Sequence, residues 1–350
     1  MHIEIAGRRI GPGEPVYVIA EMSANHLGDF DYAAKIVHAA AQAGADAVKL
    51  QTYTADTITI DVDSPLFKER TGGTLWEGRG LYDLYQEGSM PWEWQPKLKA
   101  IADGLGIHLF SAPFDDSAVD FLEAEVNPPA YKVASFEIVD IPLIEKMAAT
   151  GKPVLISTGM STKDEIQEAV DAARGAGATQ ILILKCTSAY PAPPEEMNLA
   201  TIPQMIKDFG VPVGLSDHTM GIAAPISAVT LGASLIEKHF TISRADGGPD
   251  GAFSLEPAEL AEMIEGIRLA EKAVGRPAYG PGTAETGSRV FRRSLFVVED
   301  VKAGDPLTQR NVRSIRPGDG LHPRHYKEVL GRIAKRDLPR GTPLGFDDLQ

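Results

Sequence analysis

The sequence predicts an α/β protein: a (β/α)8 TIM barrel followed by a small C-terminal β-rich domain. Three observations carry this. Short apolar runs bounded by turn residues alternate with stretches of helical spacing over about 275 residues. The runs are continuously apolar, so both faces of each strand are covered, as in a parallel sheet enclosed by helices. The alternation then stops at "GRPAYGPGTAETGSR", rich in Gly, Pro and small polar residues.

Taken in order, "VYVIAEM", "AVKLQTY", "IHLFSAPF", "AYKVAS", "PVLISTG", "ILILKCTS", "PVGLSDH" and "SLIEKHFT" read as eight buried strands. Helical segments separate them, from "DYAAKIVHAAAQAGA" to "GIAAPISAVTLG", and "PAELAEMIEGIRLAEKAV" follows the last strand. Eight such units match the size of a closed barrel. An open doubly wound sheet is the alternative, but "SANHLGD" stands after the first strand where a G-x-G-x-x-G would be expected. Residues 54–90 exceed a plain connection, which predicts a lid or specificity loop at the barrel mouth. The expected division is a barrel over 1–275, a linker over 276–290 and a small domain over 291–350. That small domain contains a weak repeat, "DVKAGDPLTQRNV" and "DLPRGTPLGFDDL".

Composition narrows the partners. The 350 residues carry a formal net charge of −14, which argues against a nucleic-acid surface, so any anionic ligand must sit in a local basic pocket. The single cysteine, Cys186, excludes a disulfide framework, fits a reducing cytoplasm and reads as a small buried hydrophobe. "MHIEIAGRRI" lacks a signal-peptide core, and no uncharged apolar stretch is long enough to span a bilayer. A cytoplasmic protein is expected, with no membrane partner.

In a barrel of this type the chemistry sits where strands finish. Strand ends here carry Glu21 with Asn25 and His26 just beyond, Lys49 and Gln51, Ser111, Lys132 with Ser135 and Glu137, and Ser157 with Thr158. Then follow Thr187, Ser188 and Tyr190, Ser216, Asp217 and His218, and Glu237 and His239. A lone Ser or Thr at such a place ordinarily caps a turn or helix. Lysines inside apolar strands are different: an unpaired buried ammonium costs several kcal/mol, so Lys49 and Lys132 read as a cationic pocket in preference to a structural ion pair. Two lysines with hydroxyls suit a small dianion. His218 and His239, on adjacent strands, can share a divalent metal, and Glu21 and Glu137 can serve as acid, base or stabiliser of positive charge.

Several ordered motifs then resemble the sialic acid synthase family: "IAEMSANHLGD", "GADAVKLQTY", "FSAPFD", "AYKVASFEI", "STGM", "KCTSAYPAP", "GLSDHTMG", "EKHFT" and "GGPD". The C-terminal module resembles the antifreeze-like (SAF, β-clip) domain attached to those enzymes. The resemblance implies condensation of phosphoenolpyruvate with an acylated amino sugar. It assigns His218 and His239 to a divalent cation, Mn2+ with Co2+ or Mg2+ as alternatives, and Lys49, Ser111, Lys132, Ser135, Ser157 and Ser216 to phosphoenolpyruvate. Glu21 and Glu137 would lie near the bond-forming carbons; Gln51, Tyr190 and Asp250 would meet the sugar. Arg316, in "RSIRPGDG", would reach the N-acyl group from the partner's domain in a domain-swapped homodimer.

Within the family, "TLWEGRGLYDLYQE", "PWEW", "SLFVVEDVKAGD" and "RSIRPGDGLHP" are similar to the branch that uses 2,4-diacetamido-2,4,6-trideoxy-L-altrose. Ser188 stands in "CTS" where the N-acetylneuraminate branch has "CTN", which points away from N-acetylmannosamine. The legionaminic precursor is the nearest alternative acceptor. By resemblance, the methylene carbon of phosphoenolpyruvate attacks the open-chain aldehyde, water adds to the cation-like carbon, and phosphate leaves by C–O cleavage. Two rival readings are a Schiff-base aldolase or lyase using Lys132, and a non-catalytic sugar- or ice-binding protein.

Overall fold

The computed structural model describes residues 1–70 and 76–350. Thr74 and Leu75, which open the "TLWEGRGLYDLYQE" stretch, lie outside the described residues, as does the middle of the expected lid. The chain divides into two compact units, Met1–Gly275 and Arg276–Gln350.

The first unit is a closed parallel barrel. Its strands are β3 (Tyr17–Glu21), β4 (Ala47–Thr52), β5 (His108–Pro113), β6 (Tyr131–Val133), β7 (Val154–Ser157), β8 (Ile181–Cys186), β9 (Val213–Asp217) and β10 (Leu235–His239). Each pairs with the next, and β10 closes onto β3 through Leu235–Tyr17 to His239–Glu21. All eight runs read from the sequence form these strands. The helices between them are cut by local signals: Asp29 accepts from Tyr32 N–H ahead of the helix Phe30–Ala43, and Gly44 ends it with φ 91°.

Period-two alternation sorts each strand's side chains. Val18, Val48, Leu109, Ile156 and Ile236 pack outward against the helices in the main core. Ile19, Phe110, Leu155, Leu184 and Leu235 point into the barrel and fill its lower half. A hairpin that the sequence reading did not anticipate, β1 (Ile3–Ile5) with β2 (Arg8–Ile10), sends Ile3, Ile5 and Ile10 into that same cluster. The hairpin plugs the bottom of the barrel. Its three-residue strands are too short to carry a pattern, and their partners come from seven other segments of the chain. The lower half is filled mostly by hydrocarbon, with one polar contact between the Tyr17 hydroxyl and His108 Nδ1 at 2.6 Å, and the inward-facing charges Glu21, Lys49, Lys132 and Glu237 stand toward the C-terminal ends of the strands.

The second unit is small and stands on its own apolar cluster, which includes Leu295, Val297, Val301, Leu338 and Leu349. β11 (Ser294–Val297) pairs antiparallel with β12 (Val312–Ile315). The two repeats face each other about an approximate two-fold: Val301 and Leu338 exchange backbone hydrogen bonds. Arg340 N–H donates to Asp300 at 2.7 Å and Ala303 N–H to Asp337 at 2.9 Å. Thr283–Phe291, which starts in the expected linker and ends at the first residue of the expected small domain, forms an exposed 3-10 helix.

Candidate active site

Inward-pointing ends of β3, β4, β6 and β10 bring four charges together, and β9 adds Ser216. Lys49 Nζ stands 2.7 Å from Glu21 Oε2 and 3.9 Å from Glu237 Oε1; Lys132 Nζ stands 3.8 Å from the same Glu237 oxygen. Ser216 Oγ donates to Glu237 Oε1 at 3.0 Å, and Gln51 Nε2 donates to Glu21 Oε1 at 3.2 Å. The lysines therefore form one polar cluster, as their types implied, but each has carboxylate neighbours. The contrast between cationic pocket and ion pair was too sharp: the pocket is made of both.

Burial sets the protonation behaviour. Desolvation lifts Glu21 to about 7 even though Lys49 opposes it, and lifts Glu137 to about 7 against Lys132. Burial pushes the Lys132 ammonium below the ordinary lysine value, with Glu237 only partly restoring it. For Lys49 burial also pulls down, but Glu21 and Glu237 outweigh it. His239 is driven well below the ordinary imidazole range by burial and by His218, so it is a neutral base near pH 7.

The two histidines lie side by side with ring centroids 5.3 Å apart. Two imidazoles that share one cation through bonds of roughly 2.1 Å put their ring centres about 5 Å apart, so the spacing fits. His218 Nδ1–H donates to Thr187 O at 2.9 Å, which fixes the tautomer with a lone pair on Nε2. His239 Nδ1 is buried without a hydrogen-bond partner, 3.9 Å from Asp250 Oδ2. Among the described residues no group of three or more His, Cys, Asp or Glu converges as a metal cluster. The donor set thus fits a divalent ion held by two imidazoles and completed by water or substrate oxygen.

Other buried polar atoms at this end also lack partners: Glu137 Oε2, Ser157 Oγ and Glu237 Oε2. Such atoms are costly unless a ligand or water meets them. Gly159 lets the hydroxyls converge, for a Cβ there would stand 2.1 Å from Ser188 Oγ and 2.8 Å from Ser135 Oγ. Tyr190 covers the histidines, its ring 4.4 Å from His218 and 6.3 Å from His239, and Trp76 of the insertion packs on it at 6.0 Å.

One expected residue is not brought to this cluster. Ser111 follows the inward Phe110, so alternation turns it outward, where its hydroxyl shares a 2.6 Å hydrogen bond with Thr52, which in turn donates to Gln95. Arg316 belongs to the second unit, exposed just after β12. Conversely, Glu237 had only a place at a strand end and no role, Gly159 had none, and Cys186 was read as a plain buried hydrophobe. Its Sγ lies 3.8 Å from His218 Nδ1 and 3.8 Å from Ser188 Oγ. The inward parity of Glu237 with His239 was the available signal for the first; nothing in one sequence marks Gly159.

Comparison with known proteins agrees with this architecture. Residues 36–279 match the NeuB family and residues 292–350 the SAF domain. The chain is 44% identical to the pseudaminic acid synthase of Helicobacter pylori, over 96% of this chain and 98% of that protein. It is 41% identical to the pseudaminic acid synthase of Campylobacter jejuni, over 96% and 97%. The crystal structure of spore coat polysaccharide biosynthesis protein SpsE from Bacillus subtilis superposes with a TM-score of 0.68 at 34% identity, covering 100% of this chain and 99% of that one. With a barrel whose mouth gathers lysines, carboxylates and paired histidines, and with family matches that span both units, the chain belongs to the NeuB family of sialic acid synthases and carries a SAF domain.

Proposed function

We propose that this protein condenses phosphoenolpyruvate with 2,4-diacetamido-2,4,6-trideoxy-L-altrose to give pseudaminic acid and phosphate, a C–C bond-forming transferase of the EC 2.5.1 type. The observation that carries the chemistry is the meeting of Lys49 and Lys132 with His218 and His239 at one barrel mouth. The choice of acceptor rests on the relatives named for pseudaminic acid.

In this reading Lys49 and Lys132 hold the phosphate and carboxylate of phosphoenolpyruvate, with Ser135, Ser157 and Ser216 as further donors. His218 and His239 hold a divalent cation, Mn2+ first among the candidates, which when bound withdraws electron density from the acceptor aldehyde. Gln51, Ser188, Tyr190 and Asp250 face the sugar. The barrel holds the methylene carbon of phosphoenolpyruvate and the aldehyde at bonding distance, which removes the entropic cost of their meeting. Glu21 is tied to Lys49 and stabilises positive charge that develops at the enol carbon. Glu137 keeps a buried oxygen without a partner and is the base that takes the proton of the adding water. The tetrahedral product of that addition expels phosphate by C–O cleavage. A homodimer in which Arg316 binds the acceptor's acyl group belongs to the same proposal, supported by resemblance alone.

The test is phosphate release with phosphoenolpyruvate, Mn2+ and a panel of acylated amino sugars. The altrose-configured sugar should give the highest kcat/KM. A higher value for N-acetylmannosamine or the legionaminic precursor would overturn the acceptor assignment, and borohydride trapping of a keto-acid on Lys132 would overturn the mechanism.

A further inference from the structure

Directly behind the two histidines, on the helix-facing side of the barrel wall, lies an ion pair that the chemistry above does not use. Lys238 Nζ meets Asp217 Oδ2 at 2.5 Å, and neither side chain is more than 1% exposed. Burial presses the Lys238 ammonium down and Asp217 pulls it back. Taking two ions this far from water costs several kcal/mol each, and replacing such a pair by apolar residues is commonly neutral or stabilising. Stability alone therefore does not explain it.

Its connections are specific. Asp217 ends β9 and immediately precedes His218; Lys238 immediately precedes His239 on β10. Strand alternation turns both charges outward and both imidazoles inward. The carboxylate also accepts from Thr219 N–H at 3.1 Å and Thr219 Oγ1 at 3.0 Å, while Lys238 donates to Thr219 O. Thr219 and Asp217 flank His218 on either side, so the backbone around that histidine is clamped to the neighbour of the other. The paired strands themselves share register only as far as Lys238–Asp217. Beyond that point, where His218 leaves the ladder, the clamp takes over from the sheet.

We propose that Asp217, Lys238 and Thr219 form a positioning brace that sets the separation and orientation of His218 and His239 for the divalent cation. The proposal rests on the metal reading given above. None of the three touches the cation or substrate; they act through the histidines. A purely structural pair would contribute to unfolding free energy and leave metal affinity alone, whereas a brace shows itself in metal affinity when folding is intact.

The experiment titrates Mn2+ into substrate-free protein and follows the free-ion EPR signal, with phosphoenolpyruvate binding measured separately by calorimetry without metal. Wild type, the His218→Ala/His239→Ala variant and the Asp217→Asn/Lys238→Met variant are compared. The last removes both charges together, so no lone buried ion remains. The expected result is a cooperatively folded variant whose Mn2+ affinity falls about 10- to 100-fold, the scale for lost partners of metal ligands, with phosphoenolpyruvate affinity unchanged. A folded variant that binds Mn2+ like wild type overturns the brace. If the double variant does not fold, Thr219→Val decides: it keeps the ion pair and deletes one bond, and weaker Mn2+ binding supports the brace while unchanged binding overturns it. Absence of Mn2+ binding to wild type, or binding that survives loss of both histidines, overturns the metal assignment and the brace with it.

Discussion

Lys49 Nζ lies 2.7 Å from Glu21 Oε2 inside the barrel, where their side chains are 4% and 1% exposed. The proposed anion pocket therefore holds carboxylates beside both of its lysines. An incoming dianion must share Lys49 with Glu21, and both lysines with Glu237. Glu21 and Glu237 outweigh burial and favour the charged form of Lys49, while Glu237 offsets only part of the pull of burial on Lys132.

The first expectation follows from that sharing. Lys49→Met and Lys132→Met should each weaken phosphoenolpyruvate binding by about 2–5 kcal/mol, the scale for removing one partner of a desolvated charge pair. Calorimetric titration of the folded variants measures it. An unchanged Kd for either would place the anion elsewhere.

Glu137 gives a pH dependence with a definite sign. Burial raises its carboxyl from the ordinary 4.5 to about 7, and a base must be ionised, so kcat should rise with pH through about 7 and then level off. Glu137→Gln should remove that limb along with most of the activity. Lys132→Met, which deletes the ammonium that lowers Glu137, should move the limb to higher pH. A limb that persists in Glu137→Gln assigns the ionisation to another group.

Chelator treatment should abolish turnover reversibly, because two imidazoles form a sparse ligand set open to exchange. Mn2+, Co2+ or Mg2+ should restore it in wild type and not in His218→Ala/His239→Ala. Full turnover of that variant in chelator would refute a role for the metal.

Gly214 marks where the barrel interior tolerates no Cβ. One there would stand 2.6 Å from the backbone oxygen of Leu235 and 2.5 Å from Leu184 Cδ2. Gly214→Ala should lower stability by about 1–3 kcal/mol through overpacking, read as a lower denaturation midpoint. Gly159→Ala meets side-chain hydroxyls, not backbone, so its effect should fall on phosphoenolpyruvate affinity more than on stability. An unfolding midpoint for Gly214→Ala equal to wild type would show that the strands can move apart there.

Within each strand and helix, the sequence alone determined most of what is local. Continuous apolar runs such as "VLIS" and "ILILKC" could only be buried strands, and the polar residue closing each one could only stand at the strand-end face once a barrel was inferred. That placed Glu21, Lys49, Lys132, Ser157, Ser216, His218 and His239 at one mouth without coordinates. Parity within a strand is legible too: it separates Ser111, next to the inward Phe110, from Lys49 and Lys132, and joins Glu237 to them. What only tertiary structure decided are relations between strands distant in the chain. Glu21 and Glu237 reach Lys49 because closure of the barrel sets β10 beside β3 and β3 beside β4, a register that no short window encodes. The tie between Asp217 and Lys238, the hairpin under the barrel and the space kept by Gly159 have the same origin: each depends on an ångström-scale approach between segments whose separation in sequence carries no signal of it.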